Sequence, residues 1–133
     1  MKNRRKRFSI RAQRGQTMTE FALVLPLLAL LLFGVIQFGI AFNNYITLTD
    51  AVRAGARKGA VARHLTDPEG SVDTAVRAAA TDLKSSDLLV EVESTWESGE
   101  DVRVSASYPY SISLLGVVVK SGRMTSETTE RVN

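Results

Sequence analysis

With 133 residues the chain has room for one small folding unit plus a membrane segment, and not for two independent cores. It has no cysteine, which excludes disulfides, thiol catalysis and cysteine-ligated metals. The net charge of +3 is unevenly spread: Lys2, Arg4, Arg5, Lys6, Arg7, Arg11 and Arg14 precede Gly15 with no acid among them, leaving ten bases against fourteen acids, a balance of −4, in the remainder.

A basic cluster can bind nucleic acid, but no base-stacking aromatics or recognition helix accompany this one. An apolar run follows it at once, which is the order of a positive-inside membrane anchor. Nucleic acid is therefore not expected as a partner. Within residues 21–42 the only strongly polar side chain is Gln37. As a helix this run spans about 33 Å, against a hydrocarbon core of about 30 Å. The expected organisation is a basic leader over residues 1–15, a transmembrane helix over 16–42 and an exported domain over 43–133, with the N-terminus in the cytoplasm. The run is longer than the apolar region of a cleaved secretory signal and no small-x-small site follows it, so the segment is expected to stay with the mature protein.

Two residues of the segment need a reason. Glu20 sets a carboxylate at the edge of the hydrocarbon, where an unpaired charge is costly. Pro26 removes one backbone N–H and presses its ring on the carbonyl of Ala22. It reads either as a harmless kink or as part of a helix built to deform when it leaves the bilayer and packs among others.

The helical pattern continues over residues 44–63. One side gathers Leu48, Ala51, Val52, Gly55, Gly59 and Ala62, and another Asp50, Arg53, Arg57 and His64. Ala51, Gly55 and Gly59 recur at four-residue spacing. Each glycine inside a helix costs roughly 1 kcal/mol relative to alanine, so close approach of another backbone is expected at this seam, on the chain's own sheet or on another subunit. Asp67, Pro68 and Glu69 then form a cap, a first helical residue and an acidic first turn. They open a short second helix carrying Val72, Ala75, Val76, Ala79 and Leu83, which is expected to end at Lys84.

Further on the period changes to two. Val90, Val92, Ser94 and Trp96 alternate with Glu91, Glu93 and Thr95; after "ESGED", Val102, Val104, Ala106 and Tyr108 alternate with Arg103, Ser105 and Ser107. This predicts an antiparallel hairpin whose second strand is closed by Pro109. The apolar "YSISLLGVVV" is too short to span a bilayer as a helix and reads as a connection, tucked beneath the sheet or exposed as an interaction patch. A weakly alternating last strand is expected over residues 123–131. The fold class is α+β, with about three antiparallel strands packed on the helices.

Catalytic readings find little support. His64 and Asp67 lie at a helix end where a cation is ordinarily favoured, and no third group converges on them. Glu91 and Glu93 alternate as a solvated strand face does, with Arg103 placed to pair with them from the next strand. No phosphate loop and no metal-ligand spacing is present, so neither an enzyme nor a cofactor nor a small-molecule substrate is expected.

Taken in order, "RGQTMTEF", the apolar helix with its early proline, "LTDAVRAGARKGAVA" and the small sheet resemble the TadE-like pseudopilins of the tight-adherence (Tad, Flp-type) pilus, relatives of type IV pilins. The resemblance implies a type IV pilin-like fold and cleavage by a prepilin peptidase between Gly15 and Gln16. Glu20 would then be the fifth residue of the mature chain, and Glu20, Phe21 and Pro26 would serve subunit assembly. An amine freed at Gln16 is a cation of the right kind to meet Glu20 of an adjacent subunit and so to set the stagger of neighbouring helices. Phe21 stands where the major Flp pilins typically have tyrosine, and the large part after the helix favours a minor pilin or pseudopilin over the main shaft subunit. The implied partners are the cytoplasmic membrane, the prepilin peptidase, other pilin subunits and the Tad assembly machinery. The alternative is a module that stays anchored in the membrane and binds an envelope partner.

Overall fold

The computed structural model describes residues 10–133, with side chains from Gly15 onward. Lys2, Arg4, Arg5, Lys6 and Arg7 of the basic leader lie outside the described residues. The element order is α1 (Ile10–Ala60), α2 (Pro68–Ala79), β1 (Leu89–Glu93), β2 (Asp101–Leu114) and β3 (Val117–Arg131). The arrangement is α+β: a long apolar helix, a short second helix and a three-stranded antiparallel sheet with β2 in the centre.

Helix α1 runs 51 residues without interruption, about 76 Å. Pro26 sits inside it. Beyond Ala60 the chain tightens instead of continuing to residue 63: the amides of Val61 and Ala62 donate to the carbonyls of Lys58 and Gly59 at 3.3 and 3.1 Å. Arg57 and Lys58 lie in the last turn, where cations meet the negative end of the helix dipole.

The Asp67 carboxylate accepts from the Gly70 amide at 2.9 Å and starts α2. This helix ends at Ala79, five residues short of Lys84. Leu83 and Leu88 enter the core from turns instead, and that demand outweighs continued helical periodicity. Arg77 fixes these turns by donating to the carbonyl of Ser85 at 2.7 Å while it pairs with Asp73 at 2.8 Å. Arg123 donates to the carbonyl of Asp87 at 3.0 Å, and the Lys84 amide donates to the Tyr108 hydroxyl at 3.2 Å.

The core lies between the outer half of α1, α2 and one face of the sheet. Leu48, Val52, Val72, Val76, Val102 and Val104 are all fully buried. Burying each such side chain contributes about 1.5–3 kcal/mol before chain entropy is charged against it. On the opposite face of the sheet Arg103 reaches Glu93, its partner in register, at 3.8 Å and Glu127 at 3.5 Å. The C-terminus is tied down: Val132 is buried, and the Asn133 amide donates to the Ala60 carbonyl at 2.9 Å.

The sheet departs from expectation at three places. Ser94 and Trp96 fall beyond β1, where Trp96 turns the chain with a φ of 59° and receives Ser94 Oγ as acceptor for its amide at 3.1 Å. Pro109 does not close β2 but lies within it, opposite Arg123. The physical reason is that β1 pairs with β2 only as far as Ser107, so at Pro109 the strand has an open edge, where a residue without an N–H is tolerated. The apolar "SLLGVVV" is accordingly no loop. It is the end of a long hairpin, Leu114 pairing with Val117 around a two-residue turn at Leu115 and Gly116, and β3 starts at Val117 instead of residue 123.

Candidate cleavage and assembly site

Every residue singled out for processing and assembly lies on α1. Around Gly15 the backbone is already helical, and the Thr19 hydroxyl donates to the Gly15 carbonyl at 2.9 Å. That oxygen belongs to the peptide bond between Gly15 and Gln16. A β-carbon added at Gly15 would meet nothing within 4 Å, so the fold itself places no demand for glycine there. One turn on, the Gln16 side-chain amide donates to Glu20 at 3.1 Å. The four-residue spacing sets the two on one helix face, both exposed. The backbone nitrogen of Gln16 is thus within a turn of the carboxylate. Thr19 escaped the sequence reading, because a threonine bonding back to the carbonyl four residues earlier leaves no mark in periodicity.

From Phe21 onward the helix is apolar and uncovered. Phe21 is 60% exposed, Leu27 66%, Val35 62% and Phe38 66%. The stretch is long and apolar enough to cross a membrane, and none of its most apolar window is buried within the fold. Soluble proteins rarely expose continuous apolar surface on this scale, so lipid or another helix is needed to cover it. Phe38 and Phe42 stack on each other one turn apart, ring centroids 6.2 Å apart.

The seam faces inward. Ala51 is fully buried, and Gly55 approaches so closely that an added β-carbon would clash with Val76 and touch Val104 at 3.4 Å and Val72 at 3.5 Å. At Gly59 the same atom would lie 2.9 Å from Val102. Ala51, Gly55 and Gly59 therefore let α1 pack against both α2 and β2 of the same chain.

The sole histidine and Asp67 are each engaged locally. His64 Nε2 accepts from Arg63 Nε at 2.9 Å, while Asp67 is engaged as the α2 cap. Among the described residues no group of three or more histidines and acids is placed to hold a metal.

The matched stretch starts at that same glycine: residues 15–57 match the TadE-like protein family. The N-terminal segment is TadE-like. The match covers the membrane-length part of α1 and the seam through Gly55, and it stops before α2 and the sheet. No curated protein and no solved structure matches the chain. A TadE-like segment associates the chain with the Tad pilus and agrees with single-pass membrane anchoring by one apolar helix.

Proposed function

We propose that this protein is a minor pilin or pseudopilin of a Tad pilus, held in the cytoplasmic membrane and processed by prepilin peptidase between Gly15 and Gln16 before assembly, with a role in initiation or at the tip. Residues 1–15 are the leader, 16–42 the span and 43–133 the exported domain. The observation that carries the reading is the coincidence of three features on α1: a TadE-like match beginning at Gly15, Glu20 five residues later, and an apolar surface with no cover of its own.

The chemistry is consistent. Cleavage removes the basic leader and creates an amine at Gln16 on the face that carries Glu20. In the membrane a carboxylate beside hydrocarbon is costly, and an amine from the adjacent subunit relieves it. Opposite charges meeting at one depth set the stagger between helices, with Phe21 and Pro26 in the adjoining turns. Other pilin subunits cover the apolar face once the helix has left the lipid.

Replacing Gly15 by valine tests the processing step, because a β-carbon at this position has open space in the fold. Intact-mass measurement on protein from cells with active prepilin peptidase should give a chain beginning at Gln16, and the Gly15→Val chain should keep its leader. A mature wild-type protein that still begins at Met1 refutes the processing claim.

A further inference from the structure

We propose that the apolar tip of the β2–β3 hairpin, residues 114–119, is a second, shallow membrane contact that dips into the leaflet from which α1 emerges. The inference rests on the reading of α1 as membrane-spanning. Its first support is direction. Val102 lies against Gly59 and Val104 against Gly55, whereas Tyr110, Ile112 and Lys120 share an open cleft with Phe38 and Phe42. Strand β2 thus runs back along α1 towards the membrane. The distances agree: ten strand residues cover about 33 Å and twenty-one helical residues about 32 Å. The hairpin tip extends beyond Ile112, and so beyond the level of Phe38, into the zone where Gln37 is the only strongly polar side chain of α1.

The second support is chemistry. Leu115, Val117, Val118 and Val119 are 69, 67, 60 and 62% exposed, on both faces of the hairpin at once. Between residues 104 and 122 the only charged side chain is Lys120, a cation suited to anionic headgroups, and no acid occurs between residues 102 and 126. Tyr108 and Tyr110 stand behind the tip, where amphipathic rings favour the membrane interface. Asp101, Glu97, Glu100 and Glu130 gather at the opposite end of the sheet.

The third support is the turn. Leu115 has a φ of 51°, a left-handed conformation that asparagine or glycine adopts at lower cost. An exposed leucine held there gives nothing to the fold's own core, and an acyl chain is an environment in which it is favoured. Depth is limited by the backbone. The outer edges of the hairpin carry unpaired N–H and carbonyl groups that hydrocarbon does not satisfy, so only the tip enters.

The absence of cysteine makes the test direct. Full-length Val118→Cys, Ile36→Cys and Thr95→Cys chains are labelled with an environment-sensitive fluorophore. Each is reconstituted in phosphatidylcholine and phosphatidylglycerol vesicles, with and without acyl-chain bromination. The expected result is a bromine-dependent loss of emission at Val118→Cys comparable with that at Ile36→Cys, with none at Thr95→Cys. Quenching at Ile36→Cys alone overturns the hairpin contact while leaving the anchor intact. A blue shift at Val118→Cys without bromine quenching also overturns it, since protein rather than lipid then covers the tip. Quenching at neither of the first two sites overturns the membrane-spanning reading itself.

Discussion

Replacing Gly55 by alanine should destabilise the protein, although the same change at an open helical position would stabilise it. In a helix interior the exchange is worth roughly 1 kcal/mol in favour of alanine. Here the added methyl would overlap Val76, with Val104 3.4 Å and Val72 3.5 Å away on other sides. All three valines are fully buried. Val72 and Val76 are also β-branched residues in a helix and hold one dominant rotamer, so they yield only with a shift of α2. Overpacking of this kind costs about 1–3 kcal/mol, and the overlap with Val76 puts Gly55 in the upper half of that range, about 2–3 kcal/mol, which leaves a net loss of about 1–2 kcal/mol once propensity is credited. Trp96, the sole tryptophan, is packed against the core and reports unfolding in denaturant. The Gly55→Ala chain should show a lowered midpoint with an unchanged slope. In a Val76→Ala background the clash is absent and Gly55→Ala should become neutral or stabilising. A raised midpoint in the otherwise natural chain would mean that the seam is not in close contact.

Three further outcomes follow from the same structure. Asp67→Ala removes the α2 cap and should cost about 1 kcal/mol, read as a lowered midpoint by Trp96 fluorescence. Thr49→Val should stabilise by about 1 kcal/mol in the same assay, because the Thr49 hydroxyl is buried without a hydrogen-bond partner. Glu20→Ala should leave membrane insertion unchanged in fractionated cells yet reduce recovery of the protein in sheared pili; normal recovery would refute a role for Glu20 in assembly.

Much of the architecture could be read from residue pattern, because the patterns were long. The apolar run over residues 21–42 and the recurrence of Val72 and Val76 allow few interpretations, and Asp67 with Pro68 marks a helix start by local chemistry alone. What escaped depends on tertiary context. Pro109 reads as a strand terminator until the sheet shows that β1 has already ended beside it. Leu115 and Gly116 carry none of the Asn-Gly signal of a two-residue turn, so a hairpin read as a connection. Leu83 looked helical by spacing, but it reaches the core from a turn. At the candidate site, the roles proposed for Gly15, Gln16 and Glu20 rest on their spacing in the sequence, whereas the bond from Thr19 to the Gly15 carbonyl is visible only in the folded helix.

The unbroken course of α1, from beside Gly15 to the base of the sheet, links two things that a hinged protein keeps separate. The sheet is fastened to the helix through Gly55, Gly59 and the C-terminal tail. Sliding a helix by one residue along a neighbour moves it about 1.5 Å and must be matched by a turn of about 100° if equivalent contacts are to be kept. The head turns with it. Whatever fixes the axial register of α1 against other helices would therefore also fix the compass bearing of the sheet, so that on the proposed assembly a single contact near the N-terminus would set which surface of the domain faces outward some tens of ångströms away.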